Sequence, residues 1–120
     1  MLKITIPIPP RTKKNSSRIV TGRNGKPFLI PSKAYKEFEQ AAGYFLKPQH
    51  IDYPVNVKCL YYMPTKRRVD LVNLLEATCD ILVKYEVLED DNFKIVASHD
   101  GSKVLHDKEN PRTEIEISRI

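Results

Sequence analysis

The chain has 120 residues and a formal net charge of +5. This is the length of one domain, and it is enough to bury about two-thirds of the surface that the unfolded chain exposes. No apolar run approaches the ~18 residues of a membrane span, the N-terminus lacks the apolar core of a signal peptide, and no Cys or His spacing is typical of zinc. We therefore expect a single domain over residues 1–120, located in the cytoplasm, in which Cys59 and Cys79 are buried free thiols.

The charged residues are distributed unevenly along the chain. Residues 1–68 contain fourteen Lys or Arg and three acidic residues, whereas residues 69–120 contain six and twelve. A charge gradient of this kind in a folded domain favours a polyanionic partner for the basic half and leaves the acidic half available for a metal ion. The alternative is a generic solvated surface with an excess of positive charge.

The N-terminal third of the chain predicts short strands separated by a polar loop. Leu2–Ile6 alternates apolar and polar residues and predicts a strand that ends at a proline. Residues 11–17 are too polar for a regular element, and their cations suit contacts to phosphate. Residues 18–21 and 28–30, joined across Asn24-Gly25, predict a hairpin because Asn-Gly is a strong turn signal.

The rest of the chain predicts two helices and further strands. Ser32 is the expected N-cap of a helix that extends to about Leu46, with a core-facing stripe formed by Tyr35, Phe38, Ala42 and Phe45. The remaining elements are a strand, an acidic helix and two strands, predicted at residues 55–63, 70–85, 94–105 (with a turn at 100–101) and 113–117. This order predicts an α+β domain in which two helices pack on one face of a small mixed sheet.

The acidic helix carries the main candidate site. Its helical spacing predicts a polar face formed by Asn73, Glu76, Ala77, Asp80 and Lys84, opposite an apolar face formed by Leu71, Leu74, Leu75, Thr78 and Leu82. A basic run, Lys66-Arg67-Arg68, directly precedes Asp70, and Asp90-Asp91 follows the helix. Carboxylates that can hold a divalent cation therefore lie beside charges that can hold a phosphate, which indicates phosphodiester chemistry.

Magnesium prefers oxygen ligands and keeps several waters, so one to three carboxylates and a substrate phosphate are sufficient to bind it. Such an ion would polarise the phosphate and lower the pKa of an attacking water, while the basic run stabilises the growing charge. Structural roles are the alternative. Asp70 can cap the helix, Asp80 can pair with Lys84 at i,i+4, and Asp90-Asp91 can form an ordinary turn.

Short motifs spread over nearly the whole length match one nuclease family. They are Pro9-Pro10 with Asn15, the helix start at Ser32 and Tyr35, Met63-Pro64 with Lys66-Arg67-Arg68, Asp70-Leu71, Asn73-Leu74, Asp80 and Asp90-Asp91. In these motifs the chain resembles the RusA family of Holliday junction resolvases, which are small homodimeric Mg²⁺-dependent endonucleases. The resemblance implies that Asp70 and Asp91 are catalytic metal ligands, that Asp90 is a close neighbour which also binds the metal, and that Asn73 belongs to the same site.

Two positions depart from the family pattern. The family usually has a second aspartate where this chain has Val72, and a lysine where it has Glu76. Because positions 72 and 76 are one helical turn apart, one hypothesis is that Glu76 has taken over the catalytic and metal-binding role of the missing acid. Arg68 or Lys84 would then replace the missing lysine, unless the site does without it. The competing hypothesis is a decayed site that binds junctions but cuts poorly.

The function predicted from the sequence is a homodimeric Mg²⁺-dependent endonuclease, with Mn²⁺ as a possible substitute, that resolves four-way junctions by paired nicks in recombination and repair. Its expected DNA-binding residues are Lys13, Lys14, Asn15, Arg18, Lys66, Arg67 and Arg68. The alternatives are a catalytically silent junction-binding protein and an unrelated α+β protein whose basic half binds RNA or another acidic partner.

Overall fold

The described part of the chain forms seven strands and two helices. The structure is a computed structural model that describes residues 1–13, 17–21, 25–31 and 33–120, with only the backbone described at 17–21 and 27–31. In chain order the elements are β1 (Leu2–Ile6), β2 (Ser17–Thr21), β3 (Pro27–Pro31), α1 (Lys33–Gly43), β4 (Val55–Met63), α2 (Leu71–Lys84), β5 (Val96–Ser98), β6 (Lys103–His106) and β7 (Arg112–Arg119). Asn24 of the expected turn and Ser32, the expected N-cap, lie outside the described residues.

Strand β4 is the centre of a mixed five-stranded sheet. On one side it pairs antiparallel with β7, from Val55 opposite Arg119 to Tyr62 opposite Arg112, and β7 pairs antiparallel with the edge strand β1. On its other side β5 runs parallel to the first residues of β4 and β6 runs parallel to the last ones. The predicted hairpin is confirmed, but β2 and β3 form a separate two-stranded sheet.

The core lies between one face of this sheet and the two helices. Alternate residues of β4, beginning at Val55 and ending at Tyr61, are almost completely buried, as period-two alternation requires. They belong to one apolar cluster together with Ala42 of α1 and with Leu74, Ile81 and Leu82 of α2. The predicted arrangement of two helices on one face of a mixed sheet is therefore confirmed. Both cysteines are buried free thiols, also as predicted.

Helix α1 ends earlier than its sequence pattern predicts. The helix stops at Gly43, so Phe45 leaves the core stripe and is 45% exposed, while Leu46 is buried instead. Gly43 marks a close contact with the residue that follows α2: a Cβ added at Gly43 would clash with the ring of Tyr85. The hydroxyl of Tyr85 also donates to the carbonyl oxygen of Glu39 at 3.1 Å. A glycine therefore allows the end of α1 to approach the end of α2 closely.

Helix α2 is buried over a wider arc than its sequence pattern predicts. Ala77 was expected on the polar face, but it is only 2% exposed, because α2 packs against α1 as well as against the sheet. Its exposed residues are Val72, Glu76 and Lys84, and those that are partly exposed are Leu71, Asn73, Leu75, Asp80 and Val83. The polar surface of the helix is therefore a narrow strip rather than a full face.

One buried polar link joins α2 to β4. The hydroxyl of Thr78 donates to the carbonyl oxygen of Leu74 at 2.9 Å, and the hydroxyl of Tyr61 lies 2.7 Å from the same Thr78 oxygen. Because the single hydroxyl proton of Thr78 is used on Leu74, Tyr61 donates to Thr78. Burial is the main cause that raises the pKa of Tyr61, so this hydroxyl stays protonated and needs an acceptor.

We expect Thr78→Val to lower the free energy of unfolding by about 1–3 kcal/mol, because it leaves the buried Tyr61 hydroxyl without an acceptor. In a Tyr61→Phe background the same change should be much less costly. Urea unfolding of the four proteins measures both effects, with the exposed Thr5→Val as the control, expected within about 0.5 kcal/mol of the parent protein. Equal costs in the two backgrounds would show that the hydroxyl pair is not the link.

Candidate active site

Asp70 precedes the first residue of α2 in an extended conformation. Its carbonyl oxygen accepts the N–H of Leu74 at 3.2 Å, but its carboxylate makes no capping hydrogen bond to the helix backbone. Instead, Oδ2 of Asp70 accepts Nδ2 of Asn73 at 3.2 Å. Asp70 is therefore the N-cap residue by position, as the structural alternative has it, but its side chain does not cap the helix. The structure brings Asp70 and Asn73 together as an exposed carboxylate oriented by an amide.

The second acidic segment, Asp90-Asp91, lies in a short loop that follows α2. Asp90 uses both carboxylate oxygens within this loop: Oδ1 accepts the N–H of Asp91 at 2.7 Å and Oδ2 accepts Nδ2 of Asn92 at 3.1 Å. The N–H of Asp91 is the main cause that lowers the pKa of Asp90, so this carboxylate is ionised at neutral pH. The side chain of Asp91 is exposed.

Asp91 lies close enough to α2 to affect it electrostatically. Burial is the main cause that raises the pKa of the Cys79 thiol to about 12, and the charges of Cys59, Asp91 and Asp80 add to it. The ring of His99 also contacts this thiol, because its Nε2 lies 3.9 Å from Sγ of Cys79 while its Nδ1 lies 2.8 Å from the carbonyl oxygen of Val57.

A basic groove leads to Asp70. We use this name for a cavity of about 350 Å³ between residues 9–12 and residues 63–69, in which Arg11, Arg67 and Arg68 are exposed. Val69, the residue before Asp70, is its last lining residue. Lys66 does not line this groove and instead lines a neighbouring depression beside β6. Because Arg67 lines both cavities, the basic run, predicted as one unit, spans two adjoining cavities.

Lys13 and Asp80 form an ion pair that the sequence pattern did not predict. Nζ of Lys13 lies 2.7 Å from Oδ2 of Asp80, and it also lies 5.9 Å from the centre of the Tyr35 ring. The alternative that Asp80 pairs with Lys84 is wrong, because the ammonium of Lys84 binds the carboxylate of Glu39 on α1. No spacing rule links residues 13 and 80, so only the tertiary structure identifies this pair.

The other predicted site residues are placed as follows. Glu76 is exposed on α2, one turn after Val72, which is 72% exposed. Lys14 and Asn15 lie outside the described residues, and for Arg18 only the backbone, as part of β2, is described. Among the residues that the structure describes, no three His, Cys, Asp or Glu side chains converge closely enough to enclose a metal ion. In the same part of the chain, no helix is long and apolar enough to cross a bilayer.

The comparisons with known proteins agree with this geometry. The profile of the family described as Endodeoxyribonuclease RusA matches residues 7–118, which include both sides of the basic groove and both acidic segments. A curated relative, the Crossover junction endodeoxyribonuclease RusA of Aquifex aeolicus (strain VF5), is 29% identical over 108 residues, which are 87% of this chain and 79% of the relative. The chain therefore belongs to the RusA family, and it is an endodeoxyribonuclease that acts on phosphodiester bonds.

Proposed function

We propose that this protein is a Mg²⁺-dependent endonuclease that resolves four-way DNA junctions by paired nicks, with Mn²⁺ able to replace Mg²⁺. The observation that carries this proposal is that the lining of the basic groove ends at Val69, the residue before Asp70. A phosphate bound by the arginines of the groove lies beside a carboxylate that Asn73 already orients. The name of the Aquifex relative, a crossover junction enzyme, supports the same substrate.

The residues of the groove bind the DNA backbone. Arg11, Arg67 and Arg68 present guanidinium groups, which match the geometry of phosphate oxygens. Contacts of this kind fix the position of the nucleic acid without reading its bases. A protein that recognises the shape of a junction needs this type of contact.

The acidic residues fit a magnesium ion that keeps part of its water shell. Since the described residues form no cage of three ligands, the fit is to an ion held by one or two carboxylates and a substrate phosphate. Asp70 and Asp91 would hold it, and Glu76, which forms no three-ligand group with them in this structure, stays a predicted ligand. A bound divalent cation lowers the pKa of the attacking water and polarises the phosphate. Asp90 shapes the loop that presents Asp91, and its own role as a ligand stays a prediction.

Two copies of the chain would supply the two active sites that paired nicks require. The main rival function is a catalytically silent protein that binds junctions. The exposed Val72 favours it, because an apolar side chain stands where the family usually has an acid. A labelled synthetic junction, incubated with and without Mg²⁺ or Mn²⁺ beside a linear duplex, separates the two. Metal-dependent paired nicks support the proposal, binding without nicks supports the rival, and no preference for the junction contradicts both.

We expect Asp70→Asn or Asp91→Asn to lower the rate of metal-dependent incision about a hundredfold or more, because each change removes a metal ligand without removing bulk. Junction affinity should stay the same or increase, since a negative charge near DNA is lost. Incision and binding are measured on the same labelled junction. The exposed Asp52→Asn, outside both acidic segments, is the matched control and should cut normally. Normal cutting by Asp70→Asn would place the metal elsewhere.

We expect Arg67→Ala combined with Arg68→Ala to make the salt dependence of junction binding shallower by about two units in a log–log plot. The reason is that each neutralised phosphate contributes about 0.9 to the slope. Binding is measured over a series of salt concentrations. The control variant, Lys33→Ala with Lys36→Ala, removes the same charge from the exposed surface of α1. If both variants change the slope equally, the groove is not the phosphate-binding surface.

We expect Glu76→Gln to lower the incision rate by orders of magnitude and to weaken the response to Mg²⁺, if Glu76 has replaced the acid missing at position 72. Stability should barely change, because Glu76 is exposed. Val72→Asp should then add little. A decayed site gives the opposite pattern, in which Glu76→Gln is nearly silent and Val72→Asp with Glu76→Lys raises a low activity.

A further inference from the structure

The ion pair between Lys13 and Asp80 places a positive charge on the polar strip of α2, which carries Asn73, Glu76 and Asp80. Nζ of Lys13 and Oδ2 of Asp80 are 2.7 Å apart, and their side chains are 42% and 33% exposed. An ion pair this accessible to water contributes little to stability. Its effect is therefore on the position of the ammonium group rather than on folding.

The pair lies on the same side of α2 as Asn73, about 10 Å further along the helix axis. Asp80 is seven residues after Asn73, so the two residues are about two turns apart and project in nearly the same direction from the helix. Asn73 is the residue that binds the carboxylate of Asp70. The ammonium of Lys13 is thus held on the side of α2 that carries Asn73, the partner of the proposed metal ligand Asp70.

Lys84 and Arg68, the two cations expected to replace the lysine that the family usually has where this chain has Glu76, are placed differently. Lys84 is bound to Glu39, so its ammonium is directed toward α1. Arg68 lines the basic groove that precedes Asp70. Lys13 continues the segment that forms the other wall of this groove, because residues 9–12 line it and Lys13 is next in the chain. The backbone of Lys13 therefore follows the groove, where DNA is proposed to bind, while its ammonium lies on the polar strip of α2.

We infer that Lys13 is a catalytic cation that contacts a non-bridging oxygen of the scissile phosphate, and that Asp80 is the positioning residue that holds it there. This inference rests on the proposed function. The water oxygen forms a bond to phosphorus and loses its proton to bulk water, while the P–O bond to one bridging sugar oxygen breaks. That oxygen leaves with the bonding electron pair and takes a proton from bulk water, and negative charge grows on the non-bridging oxygens during the step. A fixed ammonium stabilises that charge and keeps all its protons. Asp80 then acts as a counterion and not as a metal ligand.

The test compares single-turnover incision of a labelled four-way junction, at saturating protein and Mg²⁺, with junction affinity. Lys13→Met should lower the saturated rate about a hundredfold, a loss typical of removing one charge-stabilising group. Affinity should fall less than about tenfold, because one phosphate contact is lost. Lys13→Arg, which keeps the charge, should recover most of the rate. Lys33→Met, which removes an equivalent charge from α1, is the control and should cut normally.

The role of Asp80 is tested by a double-mutant cycle. Asp80→Asn should lower the rate about tenfold in the parent protein and have no further effect in Lys13→Met, since it acts only through the lysine. Independent effects of the two changes, or a saturated Lys13→Met that cuts at the parent rate, overturn the inference while leaving the proposed function intact. A parent protein that binds junctions but never cuts them overturns both. Thermal unfolding within about 2 °C of the parent protein shows that each variant is folded.

Discussion

Helix α2 is held on the central strand β4 by apolar packing and by one buried polar link, and the positions of both acidic segments depend on this contact. Tyr61 and Thr78 join the two elements at the middle of the helix. Its N-terminal end carries Asp70. At its C-terminal end, the carbonyl oxygen of Leu82 accepts the N–H groups of Val87 and Leu88, which anchors the chain just before Asp90 and Asp91. A change in the packing of this one helix would displace every acid of the proposed site.

The charges around α2 are arranged so that each carboxylate on or beside its polar strip has a local partner. Asp80 is neutralised by Lys13, Asp90 is stabilised by backbone and side-chain N–H groups of its own loop, and Asp70 is oriented by an amide. Each arrangement lowers the cost of holding a negative charge near its neighbours. The basic groove supplies the opposite charge at the edge of this strip, where a phosphate would enter.

The exposed Val72 is the feature of the site with no structural explanation. A valine that is 72% exposed on a helix gains little from packing, so no contact within the described chain requires it. Glu76, one turn later, is also exposed and carries the charge that position 72 lacks. This geometry is compatible with an acid that has moved by one turn. It is equally compatible with a site in which the original acid is lost, and the two cases differ in chemistry rather than in fold.

The sequence by itself determined the elements whose signals are local. Alternation placed β1 and β4, the Asn-Gly turn placed the hairpin, and helical spacing placed α2 within a residue of its ends, because these patterns depend on neighbours one to four residues away. The tertiary structure alone decided that Ala77 is buried, that Phe45 leaves the core, and that Lys13 rather than Lys84 binds Asp80. These outcomes depend on which distant surfaces meet, here α1 against α2 and the N-terminal segment against the helix, and no local spacing contains that information.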